Sequence, residues 1–286
     1  MLLGGERASV SGMFGRVLLL VLAASALPLE SLWAQGSWGF DTQLRTHYVW
    51  RGITRRNAWV WQSDVVGGYR VDGTLFTGGA WMTFELTRAD VRIDEALGLG
   101  ARVGEFNGWV EAARTLGPVD VALGFTLYRF IDEAEAAALG NTVFDTEEAY
   151  VRAAVHAGRF TATTALWQDF RVVKGAYAEL GASYHIPVLP LAIPIVRVGA
   201  LTGFSLGQGG AQPAYFTGSG VTHLEVYTEA QLSFGLGGLN LYLIPGIHVQ
   251  INRDDATRRT RRDSAGLDND LKAWAGISIS WHSGLQ

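Results

Sequence analysis

Hydrophobic and polar residues alternate along the first part of the chain. Residues 38–50 read WGFDTQLRTHYVW, with most apolar and aromatic side chains at even-numbered positions and the charged and polar groups at odd-numbered positions. Successive side chains of a β-strand point to opposite faces, so the stretch predicts a strand with one apolar and one polar face. The predicted strand is much longer than the ~5–6 residues that are usual in globular proteins.

The same alternation recurs along the chain and predicts twelve strands in all. The other predicted strands cover residues 59–71, 74–87, 105–116, 119–130, 146–156, 160–169, 175–186, 193–205, 221–234, 239–252 and 271–282. A tilted strand that crosses a membrane needs ~9–11 residues. The predicted lengths therefore favour membrane strands over the strands of a soluble domain.

The connections between the predicted strands alternate in length. Tight turns are predicted at Asp72-Gly73, Gly117-Pro118, Ala157-Gly158, 187–192 and 235–238, and mostly longer polar loops at 51–58, 88–104, 131–145, 170–174, 206–220 and 253–270. Bacterial outer-membrane barrels have this arrangement, with short periplasmic turns and longer extracellular loops. A soluble β-sandwich would have shorter strands and no such alternation. The predicted fold class is an all-β, closed antiparallel transmembrane barrel of about twelve strands.

The amino-acid composition excludes several classes of protein. The 286 residues are 48% hydrophobic and 17% charged, carry a net charge of −4 and include no cysteine. The absence of cysteine excludes a disulfide scaffold and a Cys-ligated metal. The negative charge argues against a nucleic-acid partner. We expect no metal and no cofactor.

The N-terminal part of the chain is predicted to be a signal peptide. Arg16 precedes an apolar run at residues 17–26, which is too short to span a membrane as a helix but fits the hydrophobic region of a secretory signal. The predicted organisation is a signal peptide at 1–34 and an outer-membrane barrel at 35–286. The rival interpretation is an uncleaved anchor.

Two details of this segment stay open. Cleavage is expected after Ala34, with Ala26 as the alternative, because small residues end both candidate sites. Met13 is a more natural start than Met1, because the charged and apolar regions of the signal follow it directly.

The end of the chain carries a candidate assembly signal. Residues 274–281 read WAGISISW, and Gly276, Ile279 and Trp281 are spaced as in the C-terminal strand that the barrel-assembly machinery recognises. We expect that machinery to be a partner of this strand.

Part of the sequence resembles a known family. The stretches THYVWRGIT at 46–54, GGYRVDGTLFTGGAW at 67–81 and EFN at 105–107 are similar to TorF-family porins, outer-membrane proteins of the Gcw type. Members of that family have a first strand that ends in Y-x-x-R-G-x-[ST] and a glycine-rich second hairpin. The strong match covers residues 46–110. The resemblance implies a signal peptide, an outer-membrane barrel and pore formation, and it names no solute.

The loop end of the first strand suggests contacts with lipid. An aromatic girdle at the lipid–water boundary is predicted from Tyr48, Trp50, Trp59 and Trp281. A basic loop directed at anionic lipopolysaccharide is predicted from Arg51, Arg55 and Arg56. The alternative is that these arginines are solvated loop charges. Outer-membrane lipid and lipopolysaccharide are therefore expected partners.

The sequence offers little evidence for catalysis. It contains no nucleophile motif, phosphate-binding loop or pair of histidines at metal-ligand spacing. A remote alternative is an outer-membrane phospholipase-like enzyme, which needs a serine and a histidine together on the lipid-facing side. Ser63 has outward parity, whereas the strand histidines have inward parity. We expect no enzymatic activity.

Charged residues with inward parity predict a constriction inside the barrel. Its members are Arg45, Asp64, Glu111, Arg152, Glu179, Arg197 and Glu229. Charges at this depth must be hydrated by a lumen or paired with one another. The first case predicts a narrow passive channel for small polar solutes or ions. The second predicts a plugged structural or adhesive barrel, and a count of twelve strands does not decide between them.

A second polar cluster is predicted near the outer mouth. A turn at residues 235–238 pairs residues whose numbers sum to 473, which sets Glu225 opposite His248 and His223 opposite Gln250. Directly opposed side chains are close enough for a hydrogen bond. The cluster is either a pH-sensitive gate or an ordinary hydrogen bond of the wall.

Overall fold

A computed structural model describes most of the barrel region. The described residues are 36–56, 59–86, 102–130, 145–171, 174–187, 195–208, 216, 218–236, 239–253 and 271–283. The predicted signal peptide lies outside them. None of the described residues forms a helix that is long and apolar enough to cross a membrane.

The described chain consists of β-strands and their connections. The strands are β1 (Gly36–Arg45), β2 (Tyr48–Trp50), β3 (Ile53–Arg56), β4 (Val60–Val71), β5 (Thr74–Glu85), β6 (Arg102–Leu116), β7 (Val119–Phe130), β8 (Thr146–Ala157), β9 (Phe160–Asp169), β10 (Ala176–Pro187), β11 (Ile195–Leu206), β12 (Gly220–Leu236), β13 (Leu239–Asn252) and β14 (Leu271–Ser283).

Twelve of these strands form a closed antiparallel barrel, and β2 and β3 form a separate two-stranded sheet. Neighbouring barrel strands follow one another in sequence, except that β1 pairs with β4 on one side and with β14 on the other. Pairing of the first strand with the last closes the barrel and leaves no free strand edge. The predicted fold class is confirmed.

The two ends of the barrel differ. Two-residue turns join β4 to β5, β6 to β7 and β8 to β9, and we call this side the turn end. At the first of these turns Asp72 and Gly73 have φ values of 47° and 76°, as a tight hairpin turn requires. The opposite side, which we call the loop end, carries the connections that leave β1, β5, β7, β9, β11 and β13.

The outer face of the barrel is apolar and the inner face is polar. Every barrel strand contributes at least one large hydrophobic side chain that is exposed, and Leu123 and Val110 reach 64% and 59%. Their sequence neighbours point inward, as the buried Glu111 does beside Val110, and Glu148 is buried on the same inner face of β8. The period of two that the sequence shows is therefore the alternation between the outside and the lumen.

The predicted long first strand is wrong. Strand β1 ends at Arg45, residues 46–47 bend, and β2 and β3 form a hairpin in which Trp50 pairs with Ile53. The hairpin turns at Arg51 and Gly52, with φ values of 49° and 84°. Positive φ at both central residues fits the twist of a two-residue hairpin, so the chain reverses where the alternation alone predicts continuation.

A β-bulge shapes the inner wall near the loop end. The register of β11 and β12 shifts between Gly203 and Phe204, which leaves Thr222 without a direct partner. Thr222 and the neighbouring His223 are both buried, each with 1% exposure. A bulge redirects side chains in this way because it interrupts the alternation of faces.

Rings on the inner wall lie over glycines of the neighbouring strand. The directly paired residues are Gly79 and Trp109, Gly124 and Tyr150, and Gly199 and Tyr227. A Cβ atom at Gly124 would lie 2.1 Å from Cζ of Tyr150, and one at Gly199 would lie 2.4 Å from Cζ of Tyr227. Because real Cβ atoms never come so close, the missing side chains make room for rings against the wall.

Candidate functional site

The hairpin of β2 and β3 lies inside the barrel at the loop end. Tyr48 and Ile53 are 6% and 2% exposed, and the turn residues Arg51 and Gly52 are also buried. Its polar contacts are with inner-wall side chains of β6, β8 and β13. We call residues 46–56 the plug, because the hairpin contacts inner-wall side chains around the loop end of the lumen.

The tip of the plug is anchored by a buried ion pair. Nη1 and Nη2 of Arg51 each donate a hydrogen bond of 2.6 Å to Oε1 and Oε2 of Glu148. The two side chains are 5% and 2% exposed. The hydroxyl of Tyr128 donates a further bond of 3.0 Å to Oε2 of Glu148. A bidentate pair between arginine and a carboxylate is among the strongest polar contacts in proteins.

Burial by itself lowers the pKa of Arg51, but Glu148 together with Tyr128 and Tyr177 more than offsets this effect, and the pKa is raised overall. The guanidinium is therefore charged at every physiological pH. The anchor is an ion pair and not a neutral hydrogen bond.

Aromatic rings surround the Arg51 guanidinium. Its Cζ lies 4.5 Å from the ring centroid of Trp50, 4.9 Å from that of Trp167 and 4.6 Å from that of Tyr177. The ring of Phe216 stacks on Tyr177 with a centroid distance of 5.7 Å and an interplanar angle of 7°. Cations are attracted to aromatic faces, most strongly where water is excluded. The rings and Glu148 together form a box that matches a flat organic cation.

Two further contacts hold the plug. The hydroxyl of Tyr48 donates a bond of 2.9 Å to Glu105, and Gln250 donates one of 2.7 Å to the carbonyl of Gly52. His223 lies over Gly52, where a Cβ atom would come within 2.7 Å of its Nδ1. The plug is thus fitted against opposite parts of the wall.

The plug overturns part of the predicted lipid-contact region. Tyr48 and Trp50 do not belong to an outer aromatic girdle, and Arg51 does not face lipopolysaccharide, because all three lie in the hairpin within the lumen. Arg55 and Arg56 belong to β3, and their side chains lie outside the described residues. The prediction failed because it assumed that β1 continues through residue 50.

The other two residues of the predicted girdle lie outside the lumen. Trp59 is 52% exposed and precedes β4 at the loop end. Trp281 packs edge-to-face on Trp38 near the turn end, with ring centroids 4.0 Å apart. Whether they meet a lipid boundary stays a prediction.

The charged residues of the predicted constriction form local pairs and not a single ring. Nε and Nη2 of Arg152 donate bonds of 2.7 Å and 2.6 Å to Glu111, and Tyr150 donates another of 3.0 Å. These side chains reach across β7 over Gly124, which lacks a side chain that would block them. The Arg152 side chain is nevertheless 57% exposed, so this pair borders open space.

A second pair lies nearer the turn end. Arg197 and Glu229 are directly opposed on β11 and β12, and Nε of Arg197 donates a bond of 2.9 Å to Glu229. The Arg197 side chain is 45% exposed. The pair lines a cavity of about 170 Å³ whose walls are His185, Ile195, Arg197, Glu229, Gln231 and Ile244. This part of the lumen retains space.

The remaining members of the predicted constriction make other hydrogen bonds, although Arg45 is close enough to Glu229 for an electrostatic interaction. Arg45 donates a bond of 2.6 Å from Nε to Gln43, and Glu179 accepts one of 3.0 Å from the Tyr177 hydroxyl. Asp64 lies on the inner face of β4, directly paired with Asp41 of β1. The structure therefore does not bring the seven residues together as one constriction.

The register predicted for the outer-mouth cluster is wrong by two residues. Strand β12 extends to Leu236 and β13 starts at Leu239, so paired residue numbers sum to 475, as for Glu225 and Gln250. His223 is opposite Asn252 and His248 is opposite Tyr227. A shift of two residues preserves the face of every side chain, which is why all four cluster residues still point inward.

One contact of that cluster forms in spite of the shift. Nδ1 of His248 lies 2.8 Å from Oε1 of Glu225, a diagonal neighbour. The imidazole is stacked between Trp274 and Tyr227, with centroid distances of 5.2 Å and 5.6 Å. The histidine is held by packing on both faces, and Gln250 and His223 contact the plug instead.

Sequence reasoning missed the residues that receive the plug. They are Glu105, Tyr128, Glu148, Trp167, Tyr177 and Phe216. One local signal was the glycine of Arg51-Gly52, which takes the same position in its turn as the glycine of Asp72-Gly73. Nothing in the local pattern predicts where the hairpin docks.

Neither a family model nor a curated protein of similar sequence matches this chain. Solved structures with similar folds include a KdgM porin in complex with disordered oligogalacturonate, at 8% identity and a TM-score of 0.41, covering 87% of this chain and 99% of that one. LpxR from Salmonella typhimurium matches at 8% identity and a TM-score of 0.44, covering 86% and 99%. The β domain of the Bordetella autotransporter BrkA matches at 9% identity and a TM-score of 0.36, covering 88% and 99%. These proteins are similar to this chain, and at such scores they carry no inference about its function.

Proposed function

We propose that the protein is a porin-like channel of the bacterial outer membrane, and that the plug is its gate. In the closed state the plug occupies the loop-end half of the lumen. Passage of small polar solutes or ions requires the plug to move. We propose no catalytic step.

The outer face supports the membrane location. Exposed hydrophobic side chains on all twelve strands form a continuous apolar surface, which soluble monomers rarely carry. Closure of the barrel satisfies every strand edge, as hydrocarbon requires. We further propose that β14 is the strand recognised by the barrel-assembly machinery.

The contrast between the two halves of the lumen carries the proposal. At the loop end, Arg51 and Glu148 are almost fully buried, whereas toward the turn end Arg152 and Arg197 are 57% and 45% exposed. A barrel whose lumen is filled only to stabilise the fold would be packed along its whole length. Exposed charges on the turn-end side of a packed plug are expected for a water-filled lumen that the plug closes.

The alternative is a plugged structural or adhesive barrel that never opens. The observation in its favour is the number of separate anchors on the plug, which include Tyr48 with Glu105, Arg51 with Glu148 and Gln250 with Gly52. Conductance measurements separate the two functions.

We expect Arg51→Gln to open the channel. The substitution removes a buried ion pair, and breaking such a pair costs about 3–5 kcal/mol. Since about 1.4 kcal/mol corresponds to a factor of ten, the ratio of closed to open channels should fall by up to roughly a thousandfold. In planar bilayers the wild type should show rare small steps and the variant should show frequent steps.

Arg152→Gln is the matched control. It also removes a guanidinium that is bonded to a lumen glutamate through two nitrogens, but Arg152 does not hold the plug. We expect the control to stay closed, and in the Arg51→Gln background to move ion selectivity toward cations. Silence of a correctly folded Arg51→Gln would show that this anchor alone does not hold the channel closed, and silence of a folded barrel without the plug would exclude the channel.

A further inference from the structure

The wall that receives Arg51 is made by four consecutive strands. Tyr128 of β7, Glu148 of β8, Trp167 of β9 and Tyr177 of β10 each contribute one side chain to the box. Phe216, from the connection between β11 and β12, is fully buried and supports the box by stacking on Tyr177. These five residues lie outside the plug, so this part of the box remains on the wall when the plug leaves, and only the ring of Trp50 leaves with it.

The chemistry of this wall is selective. Glu148 accepts two parallel hydrogen bonds at 2.6 Å, which a planar fork of N–H groups can supply and an ammonium cannot. The rings of Trp167 and Tyr177, whose centroids are 5.7 Å apart, form adjacent walls that favour a flat cation packed against both. Tyr128 holds the carboxylate of Glu148 in position through its hydroxyl.

We infer that this wall is a binding site for solutes that carry a guanidinium group, such as arginine or a short arginine-containing peptide, and that Arg51 occupies the site as a built-in ligand. A solute that takes the place of Arg51 satisfies Glu148 and leaves the plug without its anchor. The solute therefore stabilises the open state through its preference for that state. This effect on gating rests on the proposed channel, whereas the binding site itself does not.

The test removes the guanidinium of Arg51 and supplies a guanidinium again as a small solute. Arg51→Gly removes the guanidinium and keeps the turn, because glycine adopts the positive φ of 49° at this position without strain. The purified variant in detergent is titrated with ethylguanidinium chloride at constant ionic strength. Thermal unfolding and tryptophan fluorescence are followed, since Trp50 and Trp167 face the vacated space.

We expect a saturable rise of the unfolding temperature and a saturable change of fluorescence, with a midpoint in the roughly millimolar range for so small a ligand. Ethylammonium, which has the charge without the fork, and ethylurea, which has the fork without the charge, should have much weaker effects. Adding Glu148→Gln should lower the affinity for ethylguanidinium by about tenfold or more. The wild type should respond only at much higher concentrations, because the solute must first displace Arg51.

A second variant keeps the test decisive if Arg51→Gly folds poorly. In the plug-free variant, Asn-Gly replaces residues 46–59 and the wall site is open to solvent. The same titration should give the same order of ligands. Absence of saturable binding in both variants, or equal binding with and without Glu148, overturns the inference. Saturable binding in a protein that never conducts would remove the channel and keep the binding site.

Discussion

The plug-free variant should form a pore that stays open. Arg45 and Val60 are already directly opposed partners of β1 and β4, so the two-residue turn Asn-Gly can join the strands once residues 46–59 are removed. The barrel pairing is retained, but the loop-end half of the lumen loses its contents. Planar-bilayer recordings should show persistent steps that are larger than any step of the wild type or of Arg51→Gln.

The control for this variant places the same dipeptide at the other end of the barrel. Replacement of Asp72-Gly73 by Asn-Gly keeps a two-residue turn and leaves the plug in place. That protein should remain closed. A plug-free barrel that is folded, as judged by heat-dependent mobility on gels, and yet electrically silent would show that the lumen does not conduct even without the plug.

Leu123→Arg should destabilise the protein in lipid by about 2–4 kcal/mol. Leu123 is 64% exposed on the outer face and lies near the middle of β7, where a charge would face hydrocarbon. The free energy of unfolding, measured by urea titration in lipid vesicles, checks the value.

The matched control tests whether the loss of stability depends on the depth of the residue in the bilayer. Leu116 is 55% exposed and ends β6 beside the turn, so Leu116→Arg should cost only about 0–1 kcal/mol. Equal costs at the two positions would contradict a bilayer centred on the barrel. Gly124, next to Leu123, is no substitute as a control, because any side chain there meets the ring of Tyr150.

The barrel could be predicted from the sequence because its signal is local. Alternation along each strand, turn residues such as Asp72-Gly73 and long strands all report on neighbours in sequence. Even the error in the β12–β13 register kept every side chain on its correct face, since a shift of two residues leaves the period unchanged.

The plug could not be predicted in the same way. Tyr48 and Trp50 continue the alternation of β1, so their pattern fits both a longer strand and a new hairpin. What decides is burial against Glu105, Glu148 and Tyr128, which belong to other strands. Local periodicity contains no information about such partners.

No family model matches this chain, so the resemblance to TorF-family porins stays a prediction. The stretch that carries it includes Tyr48, Arg51 and Gly52. Tyr48 and Arg51 anchor the hairpin, and Gly52 makes the turn under His223. In this chain the stretch therefore forms the plug and not the end of a membrane strand.

The anchors of the plug also bear on the order in which the protein is built. They join residues that are 57, 97 and 198 positions apart in the chain, for Tyr48 with Glu105, Arg51 with Glu148 and Gly52 with Gln250. Contacts at such separations form late, because much of the chain must be ordered first. The hairpin is synthesised early, but the wall residues that bind it are not all present until β13 is in place. Burial of Arg51 therefore marks a finished barrel, and an unfinished one leaves a charged aromatic hairpin accessible to proteases.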